Sequence, residues 1–370
     1  VRLRDEGGIN PEGTEVNLDD LRKKIDEIDA RIVELIAERQ SISKEIGKGK
    51  HKTSRVIEDR ERELRVLKHV RSLARDSKIS PSDIEGIYKQ IISASKKIQG
   101  IAVAYQGEPG AYTEEAALRF FGSSTKGVPY DTLDEVFEVV ERGDVPFALV
   151  PVENSLEGSI NRTYDLLLDS PLMACGETEL RISHCLIAMA GATLDSVKYV
   201  YSHPQALGQS RNFLKKLNAE IVPASDTAGS VRMIKEEKRL DYAAVASAKA
   251  AELYGMKILA KEIEDNPHNF TRFFILSKED STPTGNDKTS IVFSLKHKPG
   301  ALYDCLGEFA RRKINLSKLE SRPTRHQPWE YNFYMDFSGH REEKPVAEAL
   351  KALEDHAVFV KILGSYPKAR

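Results

Sequence analysis

Cysteine is scarce: three occur in 370 residues, at Cys175, Cys185 and Cys305, with no CxxC pair. That argues against a disulfide framework and a zinc ribbon, and it fits a reducing cytoplasm. No window offers ~18 consecutive apolar residues, so no membrane-spanning helix is expected. Neither sign of charge dominates, because 55 Lys and Arg stand against 57 Asp and Glu. A whole-chain polyanion binder is disfavoured, and no nucleic-acid partner is expected. HExxH and paired-histidine patterns are missing, so no metal or cofactor is expected. Residues 1–17 have no apolar core, which argues against a secretory signal. Their Gly, Pro and acidic content reads as a disordered tail.

Three textures follow. Residues 18–99 contain no proline except Pro81 and are rich in Lys, Arg, Glu and Ile. Leu18, Leu21, Ile25, Ile28, Ile32, Leu35, Ile42 and Ile46 fall on a three/four spacing that makes one helical stripe. A helix over 18–48, with Asn17 as its N-cap, would be about 45 Å long and cannot bury that stripe alone. Two more helices are expected, over 56–75 and from Ser80–Pro81 onward. Three helices with one very long member point to an intertwined helical dimer. The block holds 20 Lys and Arg against 15 Asp and Glu, a surplus of five that is mostly solvated surface. Arg22, Arg39, Lys50 and Arg60, with Ser95 and Gln99 one turn apart, form a set able to clamp a small dicarboxylate.

From Ile101 to about residue 278, short apolar runs alternate with helical patterns. The alternation predicts an α/β fold with a mainly parallel sheet, long enough for two lobes. GEPGAYTEEAA (107–117) is a Gly-rich turn entering a helix, either an anion cradle or an ordinary βα turn. Glu153, Asn154 and Ser155 follow an apolar strand, the end at which α/β folds bind ligands. Ser202, His203 and Gln209 repeat that arrangement, with His203 equally readable as a helix cap. Thr271 and Arg272 sit among aromatics in NFTRFFIL, where a Thr-Arg pair is ordinarily structural.

Residues 279–288 read as a polar linker. Residues 289–370 read strand, helix, strand, strand, helix, strand, the order of a ferredoxin-like α+β sandwich. KPGALYDCL and LESRP are its notable segments. Small residues there would let an amino acid approach backbone donors, although PGAL also suits a plain helix start.

These motifs carry three resemblances. LDDLRKKIDEIDARIVELIAERQSISKEIGKGK resembles the opening helix of the all-helical chorismate mutases, and the likeness covers about 18–99. It implies that Arg22, Arg39 and Arg60 hold the substrate carboxylates. Ser95 and Glu61 would be further contacts, and Lys50 and Gln99 would donate to the breaking ether oxygen. It also implies two sites per dimer, with Arg22 crossing to the partner's site. An acidic position of that family falls near Ile57 and is not carried over. Such a pericyclic rearrangement needs a held conformer and stabilised charge, not a nucleophile.

Residues 101–278 are similar to the prephenate dehydratases, whose two α/β lobes resemble periplasmic binding proteins. The likeness implies Thr271 as the group assisting loss of the ring hydroxyl, by hydrogen bond or proton delivery. Arg272 would bind the side-chain carboxylate, while Asn154, Ser202 and Gln209 orient the ring. The last block resembles the ACT regulatory domains. There Gly300, Ala301 and Leu302, with Glu320, Ser321 and Arg322 before Pro323, would bind phenylalanine between two such domains.

The order of parts is similar to the bacterial bifunctional enzymes. The expected function is conversion of chorismate to prephenate and on to phenylpyruvate, in the cytoplasm, under phenylalanine feedback, by a homodimer or higher homo-oligomer. The rival readings are a dehydratase acting on arogenate or joined to a degenerate mutase, and a non-catalytic amino-acid sensor.

Overall fold

The computed structural model describes residues 18–51, 60–76, 79–99, 101–122, 124–296, 298–324 and 330–369. The expected tail, the Asn17 cap and Ile57 lie outside these residues. The described helical residues up to Gly49 and from Arg60 to Gln99 form one compact unit, and a second holds the residues from Ile101 onward together with Lys50 and His51.

The helical unit consists of α1 (Leu18–His51), α2 (Arg60–Asp76) and α3 (Pro81–Gln99). Asp19 and Asp20 lie in the first turn of α1, where they favour the helix dipole. Helices α2 and α3 pack on each other around Val70 and Ala74, and Arg71 pairs with Glu85 across them. The stripe of α1 is different. Leu18, Leu21, Ile25, Ile28, Ile32, Leu35 and Ile42 are all exposed, an apolar face of the kind that marks an interaction site.

The second unit opens with β1 (Ala102–Gln106), α4 (Tyr112–Phe121), β2 (Lys126–Tyr130), α5 (Leu133–Arg142) and β3 (Phe147–Asn154). It continues with β4 (Gly158–Ser159), α6 (Asn161–Asp169), β5 (Met173–Arg181), β6 (Cys185–Ala188) and β7 (Tyr199–Ser202). Next come α7 (Pro204–Gln209), α8 (Arg211–Leu214), β8 (Glu220–Pro223), α9 (Thr227–Glu237), β9 (Tyr242–Ala246) and α10 (Ala248–Tyr254). Then follow β10 (Lys257–Ala260), β11 (Phe270–Ser277), β12 (Asp287–Leu295) and α11 (Ala301–Arg311). The chain ends with β13 (Leu316–Pro323), β14 (Tyr331–Ser338), α12 (Lys344–His356) and β15 (Ala357–Pro367).

Two sheets make two lobes. The first has the order β2-β1-β3-β11-β5, with β4 beside β3, and the second has β10-β6-β9-β7-β8. The chain crosses between lobes after β5 and returns before β11, a periplasmic-binding-protein-like arrangement. The expectation of mainly parallel sheets is corrected here. In the first sheet β1 pairs in parallel with β2 and β3, but β11 inserts antiparallel between β3 and β5. The second is equally mixed, with β6 antiparallel to both β9 and β10. The physical reason is the return crossing: a strand arriving from the other lobe enters its sheet from the opposite end.

The last sheet, β13-β14-β12-β15, is antiparallel and carries α11 and α12 on one face over Cys305, Phe309, Leu350 and Leu353. Its other face gives Val292, Tyr334, Leu363 and Tyr366 to the same core as Ala174, Phe274 and Leu276 of the first lobe. At Gly364 a Cβ would lie 2.1 Å from the Ala174 carbonyl oxygen, so only glycine permits this approach of β15 to β5. The segment read as a linker, 279–288, is largely exposed but tied down at two points. Ser281 and Asp287 are buried, and Asp287 already begins β12 while accepting from the Thr284 and Gly285 N–H groups.

Candidate active site

A cleft of about 810 Å³ opens between the two lobes. Its floor forms where β3 ends and β11 begins, because the register sets Thr271 opposite Asn154. Thr271 and Phe273 line the cleft. Successive strand residues point to opposite faces. Arg272 accordingly lies on the other face. It pairs there with Glu153 at 3.1 Å, Glu177 at 3.4 Å and Asp336 at 2.7 Å. Arg272, expected from the resemblance to bind substrate, does not line the cleft.

Asn154 is buried, and its orientation is fixed by backbone. Its Oδ1 accepts from the N–H groups of Leu156 at 3.0 Å and Glu157 at 3.1 Å. Its Nδ2 donates to Asn269 Oδ1 at 2.8 Å and to Thr271 Oγ1 at 3.1 Å. Asn269 Nδ2 donates in turn to Gln209 Oε1 at 2.8 Å. His184 Nε2 lies 3.0 Å from the same oxygen, and its Nδ1 lies 2.8 Å from the Tyr112 hydroxyl. Burial pushes the His184 pKa below its ordinary value, which keeps the ring neutral.

Asn154, Gln209 and Thr271 are thus brought together as expected from the sequence. Ser202 is not among them. It is fully buried and donates to the Val245 carbonyl at 2.6 Å, bracing β7 against β9, and it does not line the cleft. His203 lines the cleft and also caps α7, accepting from Gln205 N at 3.3 Å. The Gly-rich turn before α4 is closed by its own chain, since Glu114 accepts from Gly110 N at 2.7 Å. Sequence reasoning missed Tyr112, Glu157, His184 and Asn269. Asn269 directly precedes the FTRF run, and Tyr112 lies inside the GAYTEE turn, so proximity to those motifs was the available signal.

In the helical unit Arg39 Nη1 donates to Ser95 Oγ at 2.5 Å, and Ser95 Oγ donates to the Ile91 carbonyl at 2.8 Å. This joins two of the expected clamp residues. Arg22 is exposed and pairs with Asp19 at 3.2 Å. It precedes Arg39 by 17 positions on one helix, about 25 Å at 1.5 Å per residue. One chain cannot bring both to one small ligand. Lys50, Arg60, Glu61 and Gln99 lie at helix ends whose side chains are outside the described residues.

In the last domain Gly300 caps α11 with φ +82, a left-handed conformation that favours glycine. Beside it a cavity of about 450 Å³ is lined by Ala301, Leu302, Leu295, Tyr331, Phe333 and Val358, among others. Glu320 and Arg322 do not line that cavity. The Glu320 carboxylate accepts from Ser159, and Arg322 pairs with Asp165 at 2.9 Å, both on the first lobe. Within one copy, neither side chain reaches that cavity. Ser321, between them, is exposed on a strand that pairs only with β14 among the described residues.

The parts together define a multidomain enzyme: a helical isomerase unit, a two-lobed lyase cleft and an ACT-type regulatory domain. Three family models match in that order: chorismate mutase type II over residues 21–100, prephenate dehydratase over 103–281 and the ACT domain over 289–355. The bifunctional chorismate mutase/prephenate dehydratase of Aquifex aeolicus is 41% identical over 95% of this chain and 98% of its own length. An arogenate dehydratase/prephenate dehydratase from Arabidopsis thaliana is 43% identical over 80% of each chain. The solved prephenate dehydratase of Arthrobacter aurescens, in complex with L-Phe, matches with a TM-score of 0.67 at 33% identity. That match covers 72% of this chain and 90% of the other. The chain belongs to the bifunctional chorismate mutase/prephenate dehydratase family. Among the described residues no helix is long and apolar enough to cross a membrane.

Proposed function

We propose that Thr271, Asn154 and Gln209 form the dehydratase site, and that prephenate binds in the cleft above them. The observation that carries this is the Thr271 hydroxyl, seated at the cleft floor 3.1 Å from Asn154 Nδ2. Prephenate loses carbon dioxide and its ring hydroxyl as the ring becomes aromatic. A donor at the departing oxygen lowers that barrier, and Thr271 supplies it. Arogenate has the same ring and leaving group, so the two substrates differ only at the side chain, away from Thr271. The assay is of purified protein with chorismate, following chorismate loss and phenylpyruvate formation separately. Both signals are expected. Chorismate loss without phenylpyruvate turns the reading to arogenate, and no turnover by folded protein turns it to a sensor.

The mutase site is completed by a second copy of this chain. The exposed stripe of α1 supports this, and so does the span between Arg22 and Arg39. Arg39, Ser95, Lys50, Arg60, Glu61 and Gln99 of one copy face Arg22 of the other, and Lys50 and Gln99 donate to the ether oxygen. Lys50→Ala is expected to abolish chorismate consumption and to spare dehydration of supplied prephenate. An unchanged mutase rate would refute the assignment. Gel filtration of the intact chain, read against its 41.4 kDa mass, tests for the homodimer or a higher oligomer.

Phenylalanine is the ligand of the ACT domain, held at Gly300, Ala301, Leu302 and Ser321 between two copies. The apolar cavity beside Leu302 and the exposed edge of β13 support this. Gly300→Val forces a β-branched residue to positive φ, which costs about 1–3 kcal/mol. The phenylalanine concentration for half-inhibition is expected to rise at least tenfold, and an unaltered inhibition curve refutes the site. The cytoplasm is the compartment that suits three widely separated, buried cysteines.

A further inference from the structure

We propose that Asn269 is a positioning residue that fixes Gln209 with its amide N–H groups toward the cleft. The inference rests on the reading of the cleft as the dehydratase site. It starts from two backbone N–H groups, which can only donate. Leu156 N and Glu157 N both point at one atom of the Asn154 carboxamide, so that atom is the oxygen. The amide nitrogen of Asn154 therefore faces Asn269 and Thr271, and the facing atom of Asn269 is its oxygen. Asn269 then turns its own nitrogen to Gln209, whose facing atom must accept. Each carboxamide has two ends, so fixing one fixes the other, and the Gln209 Nε2 is left on the cleft side. Its partner among the described residues is Glu157 Oε1, at a long 3.5 Å.

His184 closes the chain from the other side. Its Nε2 faces the Gln209 oxygen at 3.0 Å, so it carries the proton there. Its Nδ1 is then an acceptor 2.8 Å from the Tyr112 hydroxyl, whose single hydrogen is shared between it and the Ser183 carbonyl, also at 2.8 Å. At Thr271 the hydroxyl oxygen accepts from Asn154, so its hydrogen is free for the cleft. Both polar groups of the floor thus present hydrogen to the substrate. That suits a dianion that expels hydroxide, with Gln209 on a carboxylate oxygen and Thr271 on the leaving one. Asn269 touches neither. It is fully buried and acts through Gln209.

Asn269→Asp tests this, because a carboxylate has the same shape but no hydrogen to give Gln209. In the ionised variant Gln209 turns its oxygen to the cleft. The expected kcat/KM for prephenate at pH 8 is about 100-fold below that of the unmodified protein, with KM carrying part of the loss. As pH falls, the buried carboxyl takes a proton and its O–H replaces the lost N–H. The ratio of variant to unmodified kcat/KM is then expected to recover about tenfold or more by pH 6. Tyr112, Glu157, His184 and His203 line the cleft, with Glu264 on the His184 N–H and His268 next in the chain, in both proteins, so taking the ratio separates their effects from that of the introduced carboxyl.

A loss that does not vary with pH would overturn the proposal. Gln209→Glu is the second arm, used if the aspartate variant does not fold. It keeps the accepting oxygen and replaces the cleft-facing donor by an acceptor. A KM at least tenfold higher is expected, and an unchanged KM overturns the orientation. Thr271→Val is run beside both. If it keeps full dehydratase activity, the cleft reading itself fails and takes this proposal with it. If it is inactive while the Asn269→Asp ratio is flat, only the orientation fails.

Discussion

Thr271→Val is expected to lower kcat on supplied prephenate by about 10²–10³, the effect of deleting one donor that meets charge developing on a departing oxygen. Valine keeps the shape and the strand preference of threonine, so β11 should hold its register. The fold loses one neutral hydrogen bond, about 1 kcal/mol. Asn154 is not orphaned, because its Nδ2 retains Asn269 Oδ1 at 2.8 Å and the Phe270 carbonyl at 3.1 Å. Chorismate consumption depends on other residues, so it should be unaffected in the same preparation. Measuring both rates on one sample separates a lost catalytic group from a damaged protein. Full dehydratase activity in a folded Thr271→Val protein would remove Thr271 from the mechanism.

The positions that were legible in the sequence share one property: their partners are near in the chain or their pattern is periodic. The α1 stripe follows from spacing alone, and so does the strand-helix order of β12 to β15. Asn154 and Gln209 stand out after a strand and around a helix start, whereas Thr271 is singled out by the family resemblance and not by its own setting. Arg272 and Ser202 lie outside the cleft lining for opposite reasons. Arg272 is the strand neighbour of Thr271, and the two-residue period of a strand sends such neighbours to different faces. That placement was available from sequence once TRF was read as a strand. Ser202 ends a strand as Asn154 does, but its hydroxyl is taken by β9, a partner 43 residues away. The antiparallel entry of β11 was not legible either, since an apolar run does not name its neighbours. Asn269 and His184 meet at Gln209 only because the chain crosses between lobes twice. Asp287 shows the limit at the other junction. A polar run with Ser, Pro and Gly looks like a free linker until a buried carboxylate ties it down.

Arg272 carries the second large expectation. Its guanidinium and the carboxylates of Glu177 and Asp336 are almost wholly withdrawn from water, and Lys288 joins Glu177 at 2.7 Å. The network spans two domains, because Asp336 lies on β14 and Arg272 on β11. A charge taken out of water is tolerable only while its partners remain. Arg272→Met keeps the apolar stem and removes the cation. Glu177 is left with Lys288, but Asp336 is left with the Ser290 hydroxyl at 2.6 Å and, among the described residues, no cation paired to it. Removing one member of such a group costs about 3–5 kcal/mol. In a unit of this size that is roughly a 10 °C fall in Tm.

The double variant Arg272→Met with Asp336→Leu makes the stronger test. If the cost arises from an uncompensated charge, removing the facing carboxylate should return much of the lost stability, and the double variant should melt above Arg272→Met alone. Additive losses would mean that packing, not charge, holds this junction. The comparison also bears on control of the enzyme. Arg272 follows Thr271 directly, while β14 pairs with β13, the strand that carries Ser321. Lys318 on β13 reaches Glu153 at 3.2 Å and donates to the cleft residue Ser159 at 2.6 Å. A ligand that shifts β13 therefore acts on groups bonded to the β3–β4 side of the cleft floor. A double variant that is stable but lacks the cross-domain pair should keep the Lys318 link and lose the Arg272 one. The inhibition curve of that variant, set against that of the unmodified protein, assigns the response to phenylalanine between the two links.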